Sequence, residues 1–183
     1  MKPHEMHRAQ GQGVLSFQLV TVSSSRYSKL KAGLKYADES GDLAESKILA
    51  ESHKVVKRKL ISDRREMILS ALKEFLRSKA DVLLFTGGTG VSPTDITVET
   101  VVPILEKELT GFGEILRNIS FKRIGSAAIL TRATAGTVGG RLVVCLPGSP
   151  DAVDTALSTF MPDFPHIVAV AKGSRHKESW TPA

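Results

Sequence analysis

Apolar positions along the chain follow two rhythms, one suited to strands buried on both faces and one suited to amphipathic helices. Phe17–Ser23 (FQLVTVS) is apolar on both faces after Gln18, the pattern of a central parallel strand. The polar stretch from Ser24 to about Glu39 reads as a loop, and its SSSRYSK start lies just past that strand's C-terminal end. Ser40 is placed to cap a helix running to about Ser52. Val55–Ile61 is β-branched with interspersed Lys and Arg, which predicts a strand near a sheet edge. Ser62 or Asp63 can cap the next helix, with Glu66 completing a capping box from Asp63. Ile68, Ala71, Leu72, Phe75 and Leu76 then form a helical stripe.

Asp81–Thr86 is a short, wholly apolar strand after its first residue, and it runs directly into GGTG. Thr97–Glu106 reads as a helix broken at Pro103. Phe112, Ile115, Leu116 and Ile119 mark another helix. Arg132–Val138 and Arg141–Leu146 read as two strands joined by the hairpin signal Gly139-Gly140. Pro147-Gly148 ends the second of them. Ser149-Pro150-Asp151 opens a helix with a cap, a proline at its first position and an acid in its first turn. Val153, Ala156, Leu157 and Phe160 carry its apolar face. Phe164, Ile167, Val168 and Ala171 predict a last helix.

Strands alternating with helices imply a mostly parallel sheet with right-handed crossovers, covered on both sides. No internal repeat or linker divides the chain. Residues 14–172 are expected to form a single domain, between a polar arm at 1–13 and a tail at 173–183. The full length of 183 residues fits one domain with a substantial core.

Composition narrows the function classes. No apolar run approaches the roughly 20 residues that span a bilayer, so no membrane partner is expected. The first 13 residues lack the apolar stretch of a secretory signal. Cys145 is the only cysteine, which rules out an internal disulfide and fits a reducing cytoplasm. The net charge of +6 favours anionic ligands. Basic residues are scattered, however, and aromatics are only 5% of the chain, so no base-stacking platform is visible and nucleic acid is not an expected partner.

In open α/β sheets, ligands bind beyond the C-terminal ends of the strands. Four loops are expected there: Ser23–Tyr27, Ser62-Asp63, Gly87–Asp95 and Pro147–Asp151. Gly87, Gly88 and Gly90 allow positive φ and close backbone approach, and successive amides in such a turn make an anion nest. Thr89 and Ser92 add hydroxyl donors. No Lys-Ser/Thr follows the glycines, so the loop is not a Walker A motif. Asp63 and Asp95 can each be read as a helix cap. Together, at adjacent strand ends, they can instead hold Mg²⁺ against phosphates. No histidine is placed to act as a ligand or base.

LLFTGGTGVSPTDIT, GFGEILRNISF, ILTRATAG and LPGSPDAV, in that order, resemble the MogA/MoaB molybdopterin-binding family, whose relatives include the gephyrin G domain. The resemblance runs from about Phe17 to about Val170. It implies a three-layer α/β/α sandwich and a homotrimer, or a hexamer made of two trimers. It further implies a molybdopterin adenylyltransferase that joins AMP from Mg-ATP to the molybdopterin phosphate, releases pyrophosphate, and hands its product to a molybdate-insertion protein. By the same resemblance Asp63 and Asp95 are the catalytic and metal-binding acids. Gly87, Gly88, Thr89, Gly90, Ser92, Ser23, Ser25 and Arg26 match the molybdopterin- and phosphate-binding positions. Ser40 and Gly41, with Asp38 before them, and Pro147, Gly148, Ser149 and Pro150 match nucleotide-binding positions. Ser24 departs from the pattern, standing where several members have Asp or Thr. A carrier that holds molybdopterin without chemistry is the alternative reading.

Overall fold

The computed structural model describes residues 13–173. The arm and tail expected from the sequence lie outside these residues, apart from Gly13 and Gly173.

A six-stranded sheet forms the middle layer, in the order β2-β1-β3-β6-β5-β4. Its strands are β1 (Ser16–Val22), β2 (Lys54–Ile61), β3 (Val82–Thr86), β4 (Lys107–Glu108), β5 (Thr134–Val138) and β6 (Arg141–Leu146). β2, β1, β3 and β6 run parallel, whereas β5 pairs antiparallel with both β6 and β4. β1 is central and β2 is an edge strand, as their apolar patterns predict. The helices are α1 (Ser24–Lys31), α2 (Glu39–Ala50), α3 (Arg65–Arg77), α4 (Thr97–Val101), α5 (Thr110–Ile124), α6 (Pro150–Phe160) and α7 (Phe164–Ala171).

Alternation along the central strands builds two cores. Phe17, Leu19, Val82, Leu84, Leu142 and Val144 pack with α2, α5, α6 and α7 on one face. Val20, Leu83, Phe85, Val143 and Cys145 pack with α3 and α4 on the other. Each fully buried Leu or Phe contributes about 2–3 kcal/mol of transfer free energy. The result is the expected three-layer α/β/α sandwich.

Several local expectations are corrected. The presumed loop after β1 begins with α1, a polar helix with no buried residue and hence no stripe to reveal it. Asp38, not Ser40, caps α2, and its carboxylate accepts from the Gly41 amide at 3.2 Å. Neither Ser62 nor Asp63 caps α3, whose N-cap Arg64 makes no side-chain capping hydrogen bond. The helix at Thr97 ends at Val101 and passes through a 3₁₀ turn holding Pro103 into β4, a strand that the sequence pattern does not predict. β5 starts at Thr134, two residues later than expected, after an unforeseen 3₁₀ stretch at Gly125–Leu130. Ser149 caps α6 as predicted, accepting from the Ala152 amide at 3.4 Å.

Candidate functional site

The C-terminal ends of β1, β2, β3 and β6 open onto one cavity of about 530 Å³. Ser23–Arg26, Asp63, Gly87–Gly90 with Asp95, and Pro147–Ser149 line it, so all four loops converge. Val22 and Leu130 also line it and were not anticipated. Leu130 comes from the 3₁₀ stretch, which carries no turn or helix signal strong enough to place it at a strand end.

The glycines are there for steric reasons. Gly87 has φ +101°, and a Cβ on it would land on the Val22 carbonyl oxygen. Gly88 has φ +64°, and its Cβ would collide with Thr97 Oγ1 and lie 2.9 Å from Asp63 Oδ1. A Cβ on Gly148 would stand 3.2 Å from the Gly87 Cα, so the β3 and β6 loops touch backbone to backbone. The Gly87 amide donates to the Leu146 carbonyl at 2.9 Å, and Thr97 returns two hydrogen bonds to the carbonyls of Gly88 and Gly87. Among the described residues, the amides of Gly88, Thr89 and Gly90 donate to no protein acceptor.

Both carboxylates flank this loop. Asp63 Oδ2 accepts from the Ser24 amide at 2.6 Å. The aspartate thus receives the first amide of α1, whose N-cap is Ser23, and supplies the negative charge that a helix N-terminus favours. Ser24 Oγ lies 2.7 Å from Ser62 Oγ and accepts from the Asp63 amide at 3.1 Å. Position 24 therefore locks the β1 and β2 loops together through a hydroxyl. Asp95 does not cap α4 through its side chain. Its Oδ2 accepts from the Ser92 amide at 3.0 Å, which closes the glycine loop on itself.

Each aspartate uses one oxygen on a backbone amide, and among the described residues its Oδ1 has no protein donor. That pair suits a hard divalent cation that also takes oxygens from a bound phosphate. No group of three or more His, Cys, Asp or Glu among the described residues forms a complete metal cage.

Other expected residues sit elsewhere. Ser92 bonds Thr94 within the loop, and Pro150 is the first residue of α6. Ser40 and Gly41 are buried beside Asp38 and do not line the cavity. Asp38 reaches the cavity through Arg26, whose Nη1 lies 3.6 Å from Asp38 Oδ1. Burial would raise the Asp38 carboxyl. Hydrogen bonds from Thr21 (2.7 Å), Arg58 (2.9 Å) and the Gly41 amide outweigh it and hold the group below its ordinary value.

A carboxylate depressed in the folded state stabilises in full above its unfolded pKa and loses that contribution as pH falls through the folded one. Urea midpoints should accordingly fall as pH drops below about 4. The fall should be shallower in Asp38→Asn, and an unchanged slope in that variant would refute the assignment.

The chain matches a family model described as a probable molybdopterin binding domain over residues 18–166. It is 36% identical to a probable molybdopterin adenylyltransferase of Methanocaldococcus jannaschii over 155 residues, covering 84% of this chain and 92% of the relative. It is 37% identical to a molybdopterin adenylyltransferase of Pyrococcus furiosus, covering 92% and 98%. The crystal structure of the tungsten cofactor synthesizing protein MoaB from Pyrococcus furiosus superimposes with a TM-score of 0.76 at 38% identity, over 87% of this chain and 98% of that one. With one continuous match across the sheet and all four site loops, the chain belongs to the molybdopterin-binding domain family that includes MoaB.

Proposed function

We propose that this protein adenylylates molybdopterin in molybdenum cofactor biosynthesis. The observation that carries the reading is the cavity where the Gly88–Gly90 amides, the start of α1, Arg26 and two carboxylates meet. Two anionic substrates have to be held there with their reacting phosphates in contact. The molybdopterin phosphate oxygen attacks the α-phosphorus of ATP, a new P–O bond forms, the bond from the α-phosphorus to the bridging oxygen breaks, and pyrophosphate leaves with that oxygen and its electron pair.

In phosphoryl transfer the protein mainly positions groups and neutralises charge. The free amides of Gly88, Thr89 and Gly90 receive one phosphate, and the Thr89 and Ser25 hydroxyls add donors. The N-terminus of α1 and the Arg26 guanidinium draw further negative charge to the β1 side of the cavity. Pro147–Ser149 close the opposite wall, beside the nucleotide. Asp63 and Asp95 are the residues that would hold Mg²⁺, which when bound shields the triphosphate.

The defining experiment is incubation with molybdopterin and Mg-ATP, with detection of the adenylylated pterin and pyrophosphate. Pterin binding without pyrophosphate release would make the protein a carrier instead. The product is suited to a molybdate-insertion protein downstream, and the need for ATP as co-substrate favours the cytoplasm as the site of the reaction.

Self-association belongs to the same reading. Phe121 and Ile124 at the end of α5, with Ile129 and Leu130 soon after it, are exposed apolar side chains within ten residues of chain, Ile129 being 80% exposed. Exposed apolar side chains gathered in one short segment suit a subunit interface. Light scattering should give three or six times the chain mass, and Ile129→Asp should shift it toward the monomer. A monomeric wild-type mass would refute the assembly.

A further inference from the structure

Two of the sequence motifs, GFGE and ILTRATAG, contribute only Leu130 to the cavity lining, yet they converge on Arg132. Its Nη1 donates to the Gly90 carbonyl at 2.8 Å. Its Nη2 pairs with Glu99 of α4. Gly90 is the last glycine of the loop, and Glu99 belongs to the helix into which the loop leads. One guanidinium thus ties both ends of the segment that contains Asp95. A planar fork can serve two such acceptors at once, whereas an ammonium cannot do so with the same geometry.

The backbone beneath Arg132 is itself braced. Arg117 of α5 donates to the Thr131 carbonyl at 3.5 Å. Gly113 of α5 comes so near the Ala133 carbonyl that a Cβ there would lie 2.7 Å from it. The residues on either side of Arg132 are therefore held by α5. Burial would raise the Glu99 carboxyl, but the hydrogen bond and charge of Arg132 hold it below its usual range, which keeps the pair ionised at neutral pH.

We propose that Arg132 is a positioning residue for adenylyl transfer, fixing the Gly88–Gly90 amides and the Asp95 carboxylate relative to each other without touching substrate. The inference rests on the reading of this loop as the phosphate cradle. A misplacement of about 1 Å in such a cradle costs up to about 100-fold in rate.

The test compares wild type, Arg132→Ala, Arg132→Lys and Glu99→Gln. KM and kcat for molybdopterin adenylylation, molybdopterin affinity by fluorescence, and melting curves are measured with and without millimolar guanidinium ion. Arg132→Ala is expected to lose about 10- to 100-fold in kcat/KM while remaining folded. Guanidinium should recover part of that loss, and Arg132→Lys should fall between Arg132→Ala and wild type. Glu99→Gln should lose less, because the bond to Gly90 remains.

Wild-type kcat/KM in folded Arg132→Ala, or a loss that guanidinium does not relieve, overturns the proposal. Wild-type protein that binds molybdopterin without turnover overturns the transferase reading alone, and the same comparison is then read in affinity. Wild-type protein that does neither overturns both.

Discussion

Asparagine at position 95 or 63 is expected to lower the rate of adenylyl-molybdopterin formation by about 100-fold or more, roughly 3 kcal/mol of transition-state stabilisation. The substitution isolates charge from scaffold. Asp63 also receives the Ser24 amide at 2.6 Å and Asp95 the Ser92 amide at 3.0 Å, and an asparagine carbonyl can accept both hydrogen bonds. Alanine at either site would leave an amide without its partner and mix a folding defect into the kinetics. With asparagine the melting temperature should barely move, apart from the few tenths of a kcal/mol lost when Asp63 no longer places a charge at the start of α1. Steady-state kcat with saturating Mg-ATP and molybdopterin is the measurement. Near-wild-type turnover in both variants would remove the carboxylates from the reaction and leave the glycine loop as a binding element only.

Gly87→Ala is expected to be the most damaging small substitution in the chain, costing about 3 kcal/mol or more. Two penalties coincide there. The backbone has φ +101°, which a side-chain-bearing residue adopts only under strain. The new Cβ would also meet the Val22 carbonyl oxygen. Neither partner can retreat, because Val22 ends β1 and Gly87 follows β3, and these strands are paired through Thr21 and Thr86. At about 2–4 °C per kcal/mol for a domain of this size, the melting temperature should fall by about 10 °C. Gly33→Ala is the control. It has a positive φ of +69°, within the left-handed region, and nothing within 4 Å of the added Cβ, so it bears the milder backbone strain alone. Equal losses at the two positions would show that the contact with Val22 contributes nothing.

The contrast between α1 and α3 shows why some elements are legible in the sequence and others are not. Ile68, Ala71, Leu72 and Phe75 are all buried, and their spacing alone is enough to announce α3. Helix α1 has no buried residue and so leaves no periodic trace, although its Ser23 cap stands in plain view. The short strand β4 is invisible for a related reason: both its residues, Lys107 and Glu108, are exposed and fit no strand pattern. Pro103 does disclose the end of its helix, because a ring without an amide hydrogen cannot continue one.

The two aspartates carry the same lesson. Each stands near the start of a helix and reads as a possible cap for it, because capping is local and depends on sequence spacing. Asp63 instead receives the first amide of α1, 39 positions earlier, and Asp95 turns back onto Ser92. Arg132 is more remote still, reaching the loop across 42 residues of sequence.

What the sequence determined by itself was the alternation of buried strands and amphipathic helices, the central place of β1, the edge place of β2 and the strand ends on which the glycine, serine and proline loops sit. Those features follow from which side chains must leave water and from where only glycine or proline fits. What the tertiary structure alone decided was which loops meet, which amide each carboxylate serves and which arginine braces the cradle. Such pairings depend on the order of strands in the sheet and on approaches of a few ångströms between distant segments, and no periodicity along the chain records them.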